Sequence, residues 1–402
     1  MRLPDAGLRA VAAVAGRRGR RPFGGLLAHG RRGPARRGPA RRGPARRGPA
    51  VSGPADRPLL QVRDLKVHFR TGSRGPFRRQ TFVHAVDGVS FDVPRGTTFG
   101  IVGESGSGKS TTALAIMRLA PITGGTIDLA GARLSEAEGN DLLALRRKAQ
   151  IIFQDPYSSL SPRMRAGAIV REPLDLMEIG DPEGRDGRVA DLFGKVGLRA
   201  EQQALFPHQF SGGQRQRIGV ARALASQPDL IVCDEPVSAL DVAIQAQILN
   251  LLRALQREFR LTYLFISHDL AVVQYICDEI AVMYLGEIVE QADRISLFKR
   301  PLHPYTWALL SAVPSAASKR RGRRRVSLEG DPPSPIDLPP GCRFAGRCPF
   351  AEDICRTEAP ARREIFPKHW VSCHRVGDDG VPPHEMYPLA NGPGGPGGPA
   401  RP

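Results

Sequence analysis

No run of this 402-residue sequence approaches the roughly 20 consecutive apolar residues that a membrane-spanning helix requires, so the chain is expected to be soluble or held at a membrane by partners. An export signal is missing too. Arg20-Arg21-Pro22-Phe23 hints at a twin-arginine signal, but only Gly24 to Ala28 follows before charge resumes, too short for an apolar region. Six cysteines without a secretory signal imply a cytoplasmic, reducing compartment and make disulfides unexpected. The globular body also lacks net charge. A formal charge of +18 invites a nucleic-acid reading, yet residues 1–57 hold 15 Arg against two Asp, and Lys319 to Arg325 adds six positive charges. These two segments account for the whole excess, and the remainder is near neutral.

What is present begins with four copies of Arg-Arg-Gly-Pro-Ala over residues 31–50. Such a segment has no large apolar residue to offset its ordering entropy, so residues 1–57 are expected to be a disordered tail. Ordered structure should start near Pro58. Leu60 to Phe69 alternates apolar and polar as a half-buried strand does, Val86 to Val93 suggests a second strand, and Thr71 to Gln80 reads as a loop. Phe69, closing the first strand, is a candidate to stack on an adenine ring, with a plain strand aromatic the bland alternative.

Next, the apolar run Thr97 to Val102 leads into Gly103-Glu-Ser-Gly-Ser-Gly-Lys-Ser110 and then a helical stretch from Thr111 to Leu119. This G-x-x-x-x-G-K-S pattern between strand and helix is the phosphate-binding P-loop. Its glycines allow successive N–H groups to face phosphate oxygens, and the helix N-terminus adds a positive dipole end. The expected nucleotide-binding set is Gly103, Glu104, Ser105, Gly106, Ser107, Gly108, Lys109, Ser110 and Thr111, with Lys109 on the β- and γ-phosphates and the Ser110 hydroxyl on Mg2+. Further along, Ile151 to Gln154 reads as a buried strand whose last side chain could reach Mg2+ or the attacking water. Helical segments follow between about Ala166 and Val196. Phe210-Ser-Gly-Gly-Gln214 opens a helix from Arg215 to Ala225, with Ser211 as N-cap. Leu230-Ile-Val-Cys-Asp-Glu235 is an apolar strand ending in two carboxylates. Asp234 suits a Mg2+ ligand beside a P-loop, and Glu235 is placed to polarise water for in-line attack on the γ-phosphate. Ser238 to Asp241 makes a tight connection into the helix Ala243 to Phe259. Thr262 to Ser267 is another buried strand, after which His268 occupies the position of a γ-phosphate contact.

Taken in order, Gly103–Ser110, Gln154, Phe210–Gln214, Leu230–Glu235, Ser238–Asp241 and His268 resemble the Walker A, Q-loop, signature, Walker B, D-loop and H-loop of the nucleotide-binding subunit of an ATP-binding-cassette (ABC) transporter. The likeness covers roughly residues 60–295, and Phe210 departs from the usual Leu that opens the signature. The resemblance implies an α/β P-loop NTPase cassette with a mixed core sheet, an antiparallel β subdomain and a helical signature subdomain at about 160–226. It implies a head-to-tail dimer in which Ser211, Gly212, Gly213 and Gln214 contact ATP bound to the partner and Asp241 lies in the dimer-facing D-loop. Glu235, His268 and Lys109 are then the catalytic set, with Ser110, Gln154 and Asp234 around magnesium.

From residue 296 to about 376 the style changes. His303-Pro-Tyr-Thr306, Ala308 to Pro314, Leu328 to Ile336 and Gly341-Cys-Arg-Phe-Ala-Gly-Arg-Cys-Pro349 resemble the C-terminal extension of oligopeptide and dipeptide importer ATPases, as do Gln154 to Arg163 and His268 to Val273. Residues 377–402 read as a flexible Gly/Pro-rich tail. Four cysteines, Cys342, Cys348, Cys355 and Cys373, fall in an irregular stretch and suggest one metal centre. The C-x2-C knuckles of structural zinc are absent, and Cys348-Pro349 matches the Cys-Pro of iron–sulfur proteins. A [4Fe–4S] cluster, Zn2+ and free thiols stay open, while Cys233 and Cys277 read as buried core thiols. The importer resemblance implies a cytoplasmic-face subunit using ATP and Mg2+. Its partners would be a second ATP-binding subunit, the same or different, two membrane permease subunits and, indirectly, an extracytoplasmic peptide-binding protein. Nucleic acid is not expected as a partner. Nickel and glutathione are alternative cargoes, and a soluble ABC-type ATPase acting on nucleic acid or ribosomes is the alternative class.

Overall fold

The computed structural model describes residues 57–71, 80–312 and 330–386. The expectations for the N-terminal tail, for nearly all of the 71–80 loop, for the basic run at 319–325 and for residues 387–402 lie outside the described residues. The tail expected from 377 is described as far as Met386 and includes a helical turn at Pro383–Met386.

Leu60–Thr71 (β1) pairs antiparallel with Thr81–Val93 (β2) on one side and with Gly124–Leu129 (β4) on the other, and β4 pairs with Ala132–Arg133 (β5). Leu60, Val62, Leu65 and Val67 of β1 are buried, and the pairing shifts register between Val62 and Leu65, which keeps both apolar pairs on the core face. Between β2 and β4 come Thr98–Val102 (β3) and the helix Lys109–Ile116 (α1). The second sheet holds β3 with Ala149–Ile152 (β6), Leu230–Asp234 (β7), Thr262–Ser267 (β8), Glu279–Tyr284 (β9), Glu287–Asp293 (β10), Arg363–Phe366 (β11) and His369–Val371 (β12), in the order β11-β12-β10-β9-β3-β8-β7-β6. From β9 to β6 the pairing is parallel. Every residue of β3, β7 and β8 is buried, as continuous apolar runs covered on both faces should be.

Parallel pairing brings the C-terminal ends of β3, β8, β7 and β6 to one edge of the sheet. Ligands in open α/β sheets bind outside those ends. Gly139–Lys148 (α2), Ala166–Leu176 (α3), Arg185–Lys195 (α4) and Gly212–Ala225 (α5) follow in chain order, and α3 to α5 pack together as the helical layer expected near 160–226. Val242–Phe259 (α6) turns Ile248, Leu249, Leu252 and Leu255 to the core at helical spacing.

Two elements differ from expectation. β6 ends at Ile152, so Gln154 stands exposed in the following turn instead of closing a strand. The extension, expected to be irregular, adds the hairpin β11–β12 to the edge strand β10. Strands of four and three residues are too short to leave a periodic signal. Burial anchors the hairpin: His369 Nε2 meets Glu290 Oε1 at 2.8 Å, and the Glu290 carboxylate accepts the backbone N–H groups of Leu302 and His303, each at 2.8 Å. Among the described residues no helix is long and apolar enough to cross a membrane.

Candidate nucleotide site

The loop between β3 and α1 wraps tightly because two of its glycines have no room for anything else. Gly108 sits at φ 105°, where a Cβ would lie 2.2 Å from the Ala85 carbonyl oxygen. Lys109 is buried, and its Nζ donates to the Gly103 and Glu104 carbonyls at 2.9 and 2.8 Å. Burial lowers the pKa of this ammonium, against Glu235, Asp234 and Glu104, which raise it. The Ser107 hydroxyl is buried without a hydrogen-bond partner among the described residues. Ser110 Oγ donates to Asp234 Oδ1 at 2.9 Å, so two of the three expected magnesium ligands already touch. Burial raises the Asp234 pKa, opposed by that hydrogen bond and reinforced by neighbouring Glu235.

Glu235 is not the end of β7. Its φ of 46° is left-handed, an uncommon state for a residue with a side chain, and it swings the carboxylate out of the strand direction. There Oε2 is shared by Gln154 Nε2 and His268 Nδ1, each at 3.0 Å. Three residues from β6, β7 and β8 ends thus meet at one oxygen, and Oε1 faces no partner among the described residues. Ser238 caps the turn by donating to the Glu235 carbonyl at 3.1 Å, and Asp241 is the exposed N-cap residue of α6.

Glu104, expected in the nucleotide-binding set, directs its N–H and its carboxylate to the extension. Its N–H donates to Tyr305 Oη at 2.9 Å, and its carboxylate takes both Arg347 Nη1 at 2.7 Å and Nη2 at 3.1 Å. These groups face the extension, because a buried guanidinium requires a paired carboxylate. Only its carbonyl, bound by Lys109, serves the loop. Arg343, four residues earlier, donates to the Leu285 carbonyl and to Asp87 Oδ2, both at 2.6 Å. The extension therefore grips the P-loop through Arg347 and β2 through Arg343, and these two arginines were missed in the sequence. Their spacing was readable between Cys342 and Cys348; their carboxylate partners Asp87 and Glu104, more than 200 residues away, were not.

Phe69 lies near the end of β1, 39% exposed, free to offer a face. Ser211, Gly212, Gly213 and Gln214 stand apart from the P-loop's own cluster of contacts. Ser211 caps α5, its Oγ accepting from Gln214 N at 3.3 Å while Gln214 Oε1 accepts from Ser211 N at 3.0 Å. A Cβ on Gly213 would come 2.5 Å from Ile244, so the second glycine is needed for α5 to close on α6. Phe210, the departure from the usual Leu, is buried in the core. The helical layer is tied to the segment after Gln154: Arg215 covers the Tyr157 ring at 3.7 Å, and Arg222 donates to the Ser159 carbonyl at 2.7 Å.

The four late cysteines are free thiols, buried at Cys355 and Cys373 and half-buried at Cys342 and Cys348. Burial pushes the Cys342 thiol up to about 11 and those of Cys348 and Cys373 to about 12, and Cys348, Cys342 and Cys355 each add to the shift at Cys373. The Cys342 N–H donates to the Cys355 carbonyl at 2.8 Å, and the Ala345 N–H to the Cys342 carbonyl at 3.0 Å. Cys233 and Cys277 are buried in the core with their thiol pKa values raised by burial.

Comparison with known proteins agrees with this arrangement. Residues 86–238 match the ABC transporter family, and residues 289–355 match the oligopeptide/dipeptide transporter C-terminal region. A putative peptide import ATP-binding protein of Brucella ovis is 49% identical over 320 residues, 80% of this chain and 98% of the relative. The oligopeptide transport ATP-binding protein AppF of Bacillus subtilis is 48% identical over 321 residues, 79% of this chain and 97% of the relative. Among solved structures, a dimeric ATP-binding cassette in a post-hydrolysis state bound to ADP and Pi superposes with a TM-score of 0.52 at 27% identity, covering 59% of this chain and 99% of that one. A component of the cbiONQ ABC transporter complex of Clostridium perfringens gives 0.52 at 25% identity, covering 61% of this chain and 92% of that one.

Proposed function

This chain belongs to the ABC transporter family, as an ATPase with the oligopeptide/dipeptide transporter C-terminal region, and we propose that its ATP hydrolysis drives peptide uptake through membrane permease subunits. The observation that carries peptide cargo is the match of residues 289–355 together with near-full-length likeness to peptide and oligopeptide import relatives. The proposed setting is the cytoplasmic face of a membrane. There a second ATP-binding subunit and two permease subunits assemble with the chain, and an extracytoplasmic binding protein delivers the peptide.

In this reading the P-loop N–H groups and Lys109 hold the β- and γ-phosphates. Phe69 stacks on the adenine. Ser110, Asp234 and Gln154 would hold magnesium, which would supply charge neutralisation at the phosphates. Glu235 takes the proton of the attacking water on Oε1 while Gln154 and His268 fix its other oxygen, so the base is oriented before the nucleotide closes the site. Ser211 to Gln214 serve the ATP of the partner subunit, and Asp241 lies at that interface. Reconstitution of the chain with its permease, partner and binding subunits in vesicles tests the whole reading. Peptide should raise both ATP hydrolysis and uptake, while nickel and glutathione should raise neither. An ATPase of the membrane-free chain that responds to nucleic acid and not to peptide would overturn it.

We infer further that Cys342, Cys348, Cys355 and Cys373 hold a [4Fe–4S] cluster. Support comes from four free thiols concentrated in one short extension, where the Cys342 N–H donates to the Cys355 carbonyl at 2.8 Å. The spacing supports it as well. No three of these sulfurs lie within 4.8 Å of one another, whereas four thiolates around one zinc at ~2.3 Å would stand about 3.8 Å apart. Thiols with raised pKa values must release protons on loading. Chain purified without oxygen should carry about four iron and four acid-labile sulfide. One zinc per chain with no sulfide would rule the cluster out.

A further inference from the structure

A second cluster of ligand side chains lies on β1 and β2. Among the described residues, His68, His84 and Asp87 form the one set of three or more His, Cys, Asp or Glu ligand atoms that all lie within 4.8 Å of one another. His68 Nε2 is 3.1 Å from Asp87 Oδ1 and 3.3 Å from His84 Nδ1, and the two rings tilt toward each other with centroids 4.2 Å apart. Register places them there: His68 is directly opposite His84 across the β1–β2 pair, and Asp87 opposes Lys66 two residues along.

Proton placement alone leaves this trio poorly satisfied. An imidazole nitrogen has a single in-plane valence, which either donates one hydrogen or accepts one. If His68 Nε2 donates to Asp87, it turns a hydrogen toward His84 Nδ1 as well and can serve only one of them in line. If it accepts from His84, its lone pair faces the carboxylate. One cation shared by the three atoms removes the conflict. Ligands at ~2.0–2.1 Å in a tetrahedral site stand about 3.3 Å apart, close to the two spacings observed.

We propose that His68, His84 and Asp87 form a site for a divalent transition-metal ion of the class that prefers imidazole and carboxylate, with water completing the shell. The surroundings fit such an ion. Arg343 holds Asp87 Oδ2 at 2.6 Å and so directs Oδ1 to the site, while its charge is divided with Glu287, whose Oε2 is 3.4 Å from Nε. Both side chains of the His68–Asp87 pair are about one-fifth exposed, which gives an ion a way in. The site is braced on every side: His84 N–H donates to the Pro335 carbonyl at 2.9 Å, Asp87 N–H to Gly286 at 2.8 Å, and Gly286 N–H to Ser107 of the P-loop at 2.9 Å. A bound ion would clasp β1 to β2 one residue from Phe69.

Cobalt(II) titration of the full chain tests this, because thiolate ligation gives intense near-ultraviolet charge-transfer bands and imidazole–carboxylate ligation gives only weak visible bands. Visible bands saturating at one Co2+ per chain, without a matching thiolate transition, are expected. In His68→Gln and His84→Gln, each checked for retained ATP binding, affinity should fall at least roughly tenfold. Absence of the visible bands at millimolar Co2+, or bands unchanged in both variants, would overturn the proposal.

Discussion

Glu235→Gln will bind ATP with near-normal affinity and hydrolyse it roughly 100- to 10,000-fold more slowly, the range removed with a positioned general base. The amide keeps the volume and the left-handed backbone position of Glu235, and one oxygen remains for Gln154 and His268 to contact. What is lost is the acceptor for the water proton. If the proposed pair of cassettes closes on ATP and reopens on hydrolysis, the variant will accumulate as an ATP-bound dimer, visible by size-exclusion chromatography with light scattering. Turnover within threefold of normal would remove Glu235 from the role of base. His268→Ala offers a graded comparison, because it takes away an orienting contact and leaves the carboxylate itself in place.

The second large effect is expected far from the β3–α1 loop in sequence. Arg347→Ala leaves the Glu104 carboxylate without its two charge-assisted hydrogen bonds in a site where Arg347 is 7% and Glu104 29% exposed. An unsatisfied, partly buried charge costs about 1–3 kcal/mol, enough to weaken ATP binding by roughly 10- to 100-fold if the loop relaxes to rehydrate it. Arg347→Lys should restore little, since an ammonium cannot reproduce the fork. Removing the charge instead, as Glu104→Gln together with Arg347→Ala, should recover part of the loss. Additive losses in that double-mutant cycle, measured by nucleotide titration, would show that the pair does not couple the extension to the P-loop.

Much of this site could be read from the chain itself. Gly103 to Ser110 between an apolar strand and a helix, Asp234-Glu235 at the end of another apolar strand and His268 after a third are local patterns, and each rests on geometry within about ten residues. The same holds for Ser211, whose cap with Gln214 is a contact three residues long. Expectation erred where a local pattern ran past the element that made it. β6 stops at Ile152 and leaves Gln154 in a turn, and Glu235 turns left-handed out of β7. In both cases the polar side chain is stabilised by meeting its functional neighbours, not by continuing a ladder.

Sequence by itself therefore determined the phosphate loop, the order of the nucleotide motifs and the presence of a four-cysteine extension, because backbone freedom at glycine, capping and apolar runs act over a few bonds. Tertiary structure alone decided that the extension contacts the phosphate loop. Arg347 reaches Glu104 across 243 residues, Arg343 reaches Asp87 across 256, and His68 meets His84 only because β1 and β2 pair in one register. Such contacts are selected by burial, which obliges each charged group to find a partner wherever the fold brings one. No spacing along the chain encodes that choice.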